Sequence, residues 1–327
     1  MLSYANLPPM PTASTVPSVP SPLEEEWNAL LRLLVGAQNA HYVTLVGLVI
    51  LVYDYMLTFP DEIQYFWAES WDITTVLFFF NRYLPMVVFG PIAAAFFTEG
   101  IEPKVCDHVM QFTFITSIVA LTINQAILVL RVWYMFPDRR SMRYACVFSF
   151  VACTVASLAT LFASYNQIHD QDVASLPISY PLLGCTVPSA SGIWRIFVPQ
   201  IVIHLVLYFF TVIRALDGSW KIVKQPLMVR LIRDGGFVFF VALVAATGSA
   251  VGARMVDIPE FNIPALYSDF TLAINSVIVS RLALSMQSTA EKLNTDPLWL
   301  LNPTELGRLN WKLGANQEIV VEMGPFV

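Results

Sequence analysis

Seven stretches of this chain are each long and apolar enough to cross a lipid bilayer, at about 40–59, 73–97, 109–134, 144–165, 193–213, 235–254 and 264–284. A hydrocarbon core of about 30 Å takes roughly 20 residues of helix. Inside it every backbone N–H and C=O must be paired within the segment or around a closed barrel. The runs are far longer than a barrel strand of about 10 residues, and they do not alternate. The fold they predict is all-α: a polytopic membrane protein built as a seven-transmembrane-helix bundle. Charge density agrees, because 13% of the 327 residues are charged against about 25% in soluble domains.

Orientation follows from where Lys and Arg sit. Thirteen of them, running from Arg131 to Lys312, fall on one side of the crossings, and four (Arg32, Lys104, Arg195 and Arg254) fall on the other. The bias puts the N-terminus outside and the C-terminus in the cytoplasm. The 60–72 connection dissents, carrying Asp61, Glu62, Glu69 and Asp72 without a base, but acidic residues weigh little in this rule. Three regions are expected. A Pro/Ser/Thr-rich disordered tail with a short amphipathic helix occupies 1–39, the helix starting at Ser21-Pro22-Leu23-Glu24. The membrane domain covers 40–284, and a cytoplasmic tail covers 285–327. The helix within 22–39 reads equally as an extension of the first crossing. Residues 1–20 lack the pattern of a secretory leader, so the first crossing is the expected targeting signal.

Charges at bilayer depth cost about 2.5–3.5 kcal/mol each on insertion scales, so each wants a partner. Asp54 lies about 8 Å inside the inner end of the first crossing, and Arg82 about 12 Å inside that of the second, from the helical rise. Matched depth and a short loop predict an intramembrane ion pair between Asp54 and Arg82, either a lock between two helices or a proton or ion site. Thr113, Ser117, Ala120, Asn124 and Arg131 share one stripe of the third crossing, expected to face the bundle interior. Cys146, Ser149, Cys153, Ser157, Thr160 and Ser164 form a similar stripe on the fourth. Small residues there, and at Gly248-x-x-x-Gly252 on the sixth, let helices approach closely.

Cys106 and Cys185 both fall on the outer side, where a disulfide persists. A bond between them would fold the long 166–192 loop over the bundle mouth. His41, His108 and His169 also lie on that side, but their spacing matches no metal motif, and no metal or other cofactor is expected. His204 stands alone within the fifth crossing.

Tyr53-Asp54-Tyr55 with Leu57-Thr58, then Glu62-Ile63, Trp67, Leu77-Phe78 and Asn81-Arg82-Tyr83-Leu84-Pro85 form a recognisable signature. It resembles a large family of fungal, mainly basidiomycete, multi-pass membrane proteins defined by an N-terminal domain of unknown function. Leu130-Arg131-Val132-Trp133, Arg233-Asp234-Gly235 and Ser280-Arg281-Leu282 extend the likeness along the chain. The resemblance implies the fold and a membrane location; it implies no activity and no catalytic residue.

Two functional classes remain open. A seven-helix receptor-like sensor suits the topology, the placement of Cys106 and Cys185, and the basic inner face at 139–143 and 214–233. The arrangement looks like that of G-protein-coupled receptors, with departures. No acidic residue precedes Arg131, the last crossing carries Asn275-Ser276-Val277 in place of Asn-Pro-x-x-Tyr, and the sixth lacks Cys-Trp-x-Pro. Its candidate switch is Arg131, closing the third crossing, with Asp234, opening the sixth beside Gly235-Gly236. The alternative is a small-solute or ion transporter or channel, its path lined by Asp54, Arg82, Asn124, Gln125 and Asp269. Seven crossings leave no even pair of repeats, and no paired broken helices are expected.

An enzyme is not expected. The Gly-x-Gly-Asp, Gly-x-Ser-Gly and His-Glu-x-x-His motifs are all absent. All five lysines lie outside the crossings, so no retinal Schiff base can form in the bundle. The expected partners are the lipid bilayer, favouring the plasma membrane, a ligand and a cytoplasmic effector, and no nucleic acid.

Overall fold

The computed structural model describes residues 22–67, 71–98, 102–137, 139–170, 192–217, 226–292, 310–313 and 319–322. Eight α-helices account for nearly all of them: α1 Pro22–Glu62, α2 Ile73–Phe97, α3 Pro103–Met135, α4 Arg140–Asp170, α5 Phe197–Asp217, α6 Pro226–Arg254, α7 Pro259–Tyr267 and α8 Phe270–Lys292. Seven helices are long and apolar enough to cross a membrane; α7 is the short one. The chain is an integral multi-pass membrane protein.

α1 is one unbroken helix of 41 residues, about 60 Å long at the usual rise. Nothing in 22–59 stops it. Gly36 and Gly47 are tolerated, and Pro22 sits at its first position, where a missing N–H costs nothing. The expected boundary at 39/40 therefore falls inside a continuous helix, and the 22–39 segment is its extension. Pro60 does not end it either. The helix passes through Pro60 and widens into a π-turn at Ile63–Trp67, as helices do where the hydrogen-bond ladder is interrupted.

The crossing expected at 264–284 is the one that differs most. The helix breaks at Ser268 and Asp269, where Asp269 adopts a left-handed φ of 51°. Asp tolerates that conformation better than most residues. α7 ends before the break, and α8 continues to Lys292, past the expected end at 284. A two-stranded hairpin lies in the tail, with Asn310–Leu313 antiparallel to Ile319–Glu322, an element for which the sequence carries no strong signal.

α8 is central, touching α1, α2, α3 and α6. Close helix approach has identifiable causes. A Cβ on Gly36 would stand 2.5 Å from the Pro259 carbonyl oxygen of α7, and one on Gly252 would stand 2.6 Å from Ala265 Cβ. One apolar cluster, with Ile92, Phe96, Met110, Ile193 and Tyr267, fills the end near Cys106. A second, with Leu128, Val132, Phe136, Leu207 and Phe239, fills the opposite, basic end. The outward face is apolar too: Phe148, Phe162, Phe209 and Phe237 are largely exposed. Lipid is the solvent such a surface suits; in water it would be one large apolar patch.

Candidate functional site

The buried charges gather toward the basic end. Steps of four along α1 put Asp54, Thr58 and Glu62 on one face, and this face meets Arg82 of α2 and Arg281 of α8. Asp54 and Arg82 do come together, with Arg82 Nη1 3.7 Å from Asp54 Oδ2. That is the longest ionic contact either makes. Arg82 Nε donates to Glu62 Oε2 at 2.5 Å, while its Nη2 donates to Thr58 Oγ1 at 2.6 Å and to the Tyr55 carbonyl at 3.3 Å. Asp54 Oδ1 accepts from Arg281 Nε at 2.5 Å.

Glu62 Oε1 in turn accepts from the Tyr83 hydroxyl at 2.7 Å and from Trp67 Nε1 at 3.1 Å. The guanidinium of Arg82 also lies over the Tyr55 ring, 5.1 Å from its centre. The expected pair is thus part of a network of two carboxylates and two guanidinium groups, neutral overall. Glu62 is fully buried and Arg82 nearly so, whereas the Arg281 side chain keeps 54% of its surface. Sequence reasoning left Glu62 in a polar connection and Arg281 among the cytoplasmic bases. The available signal was the Asp54–Thr58–Glu62 spacing, hidden by treating Pro60 as a helix end.

Asn81 ties the same helices from the next face. Its Nδ2 donates to Ser280 Oγ at 2.9 Å and to the Ser276 carbonyl at 3.2 Å, and Ser276 Oγ donates back to the Asn81 carbonyl at 2.7 Å.

Beside the network a cleft of about 130 Å³ opens between α2, α3 and α8, with Phe66, Phe78, Leu128, Arg131, Leu282 and Gln287 in its walls. Arg131 is buried and lies against the sixth crossing: a Cβ on Gly235 would stand 2.7 Å from its Nη2. The side chain of Asp234 and all of Cys185 lie outside the described residues, so the Arg131–Asp234 pair and the Cys106–Cys185 bond stay expectations. Cys146 and Cys153 are free thiols, the first buried.

The stripe on α3 does face inward, with Thr113, Ser117, Ala120, Asn124 and Arg131 all buried. Of the residues proposed to line a path, Gln125 is also buried. Asp269, at the α7–α8 break, accepts from Ser117 Oγ at 2.8 Å. Several buried polar atoms in this interior have no hydrogen-bond partner: Thr113 Oγ1, Asn124 Oδ1, Gln200 Oε1, His204 Nδ1 and both amide atoms of Asn275. His41 Nε2 also lacks one, and its ring packs on Phe96, ring centres 4.4 Å apart.

Residues 42–87 match a family of unknown function, DUF6533. No curated protein matches the chain, and no solved structure does. The matched stretch is the α1–α2 hairpin. It contains Asp54, Tyr55, Thr58, Glu62, Trp67, Arg82 and Tyr83, so every member of the charge network except Arg281 lies within the part that is similar to that family.

Proposed function

We propose that this protein is a receptor-like seven-helix sensor of the plasma membrane, non-catalytic, with its N-terminus outside and its basic end in the cytoplasm. One observation carries the reading. Arg131 both lines the cleft at the basic end and lies against Gly235 of α6. A partner entering that cleft therefore touches a side chain that also sets how closely α6 approaches α3. The α6 helix opens at Pro226 and not, as expected, at Asp234; glycines at 235 and 236 therefore weaken it within its length, by about 1 kcal/mol each relative to alanine, which eases its bending there. Asp234 is the proposed counter-charge to Arg131, and the Cys106–Cys185 disulfide the proposed tie of the outer loop to α3. The likeness of residues 42–87 to a family of unknown function leaves ligand and effector open.

The test is spin-label distance between the basic ends of α3 and α6. Gly235→Ala and Asp234→Asn should each shift or broaden that distance. Unchanged distributions in both variants would remove the switch. A second reading, a small-solute or ion transporter, draws support from the broken helix at Asp269 and from the unpartnered polar atoms in the interior. Interrupted helices line substrate paths in such proteins. Solute uptake into vesicles containing the purified protein separates the two.

A further inference from the structure

Asp269 differs from the two buried acids of the charge network. Asp54 and Glu62 each meet a guanidinium group, but no described basic side chain pairs with Asp269. Its recorded partner is a hydroxyl, Ser117 Oγ. It stands where a helix is interrupted, and the final carbonyls of a helix lack intrahelical donors. The break is walled by oxygen on several sides. Thr44 Oγ1 of α1 reaches the Ser268 carbonyl at 3.5 Å, and Thr271 meets Ser249 of α6 at 2.5 Å. Thr113 lies one turn from Ser117 on the same stripe of α3. It is 4% exposed, and its hydroxyl has no hydrogen-bond partner. Tyr267, two residues before Asp269, packs edge to face on Phe114, next to Thr113, so this part of α3 faces the end of α7.

We propose that the break between α7 and α8 binds a small monovalent cation of the sodium class, held by the Asp269 carboxylate, the Ser117 and Thr113 hydroxyls, and carbonyl oxygens of the interrupted helix. Position before α8 explains part of the placement of Asp269, because a carboxylate suits a helix N-terminus. It does not explain the buried Thr113 hydroxyl. The ligand class follows from the donors. All are hard oxygens, which excludes soft metals. A single carboxylate balances one positive charge, whereas calcium sites generally gather several carboxylates among 6–8 oxygens. A hydroxyl donating its proton to Asp269 still offers lone pairs to a cation. Asp269 is itself partly exposed, which leaves a way in. This inference stands whether the protein signals or transports.

The experiment uses the full chain in nanodiscs of zwitterionic lipid, melted in sodium chloride or N-methylglucamine chloride at equal ionic strength. Sodium should raise Tm by a few degrees and saturate, as binding to the folded state requires. Asp269→Asn should abolish the sodium dependence, and Thr113→Val should move its midpoint several-fold upward. Should Asp269→Asn not fold, Ser117→Ala carries the same test, and Arg281→Gln, in the separate network, should keep the sodium response. Equal melting in the two salts overturns the site, as does a sodium response that survives in Asp269→Asn and Thr113→Val. Stabilisation by calcium in place of sodium, or by acid alone, which would mark a protonated carboxyl, overturns it as well.

Discussion

Glu62, fully buried, and Arg82, 3% exposed, are the most buried members of the charge network and meet at 2.5 Å, so each depends on the other. Removing one partner of a buried pair leaves an uncompensated charge and costs about 3–5 kcal/mol. Arg82→Gln should therefore destabilise by that order in a thermal or denaturant melt. Adding Glu62→Gln should recover part of the loss, because the orphaned carboxylate goes with it. Adding Asp54→Asn to Arg82→Gln should recover nothing, since it leaves Glu62 and Arg281 both unpaired. Equal recovery in the two double variants would mean that the 3.7 Å contact of Arg82 with Asp54 matters as much as the 2.5 Å contact with Glu62. Arg281→Gln should cost much less, about 1 kcal/mol, because its side chain is more than half exposed and exposed pairs are worth little. The depth argument brought Asp54 and Arg82 to one level, but it could not rank partners, because ranking needs distances.

Helix contacts separate two glycines that look equivalent in sequence. A Cβ at Gly252 meets Ala265 at 2.6 Å, whereas one at Gly248 meets nothing within 4 Å. Gly252→Ala should cost about 1–3 kcal/mol through overpacking against α7. Gly248→Ala should be neutral or stabilising by up to about 1 kcal/mol, because alanine favours helix. Matched melting temperatures for the two variants would contradict the α6–α7 contact. The spacing of the pair was legible, but its asymmetry was not, because the partner is α7, a helix that the hydropathy pattern merged into the last crossing. The same merging concealed the break at Asp269. A hydrophobic window averages over a two-residue interruption, and Pro264 lies a full turn before it.

For the molecule as a whole, orientation and the outer disulfide are tested together. With Cys146 and Cys153 replaced by serine, Glu102→Cys should react with an impermeant maleimide added to intact cells, and Glu291→Cys should react after permeabilisation. The reverse pattern would invert the topology. Peptide mapping without reduction should join Cys106 to Cys185; finding both alkylated before reduction would remove the bond. The sequence alone determined the class of fold, the number of crossings and the inward stripe of α3. Each of these follows from local hydrophobicity and helical period, which a single segment expresses by itself. Tertiary structure decided which charges pair, where the last crossing breaks, and that Arg131 meets α6 beside a cleft. Those depend on how helices distant in the chain rotate and approach. Residues such as Asp54 and Arg281, 227 positions apart, become neighbours only once the bundle has closed.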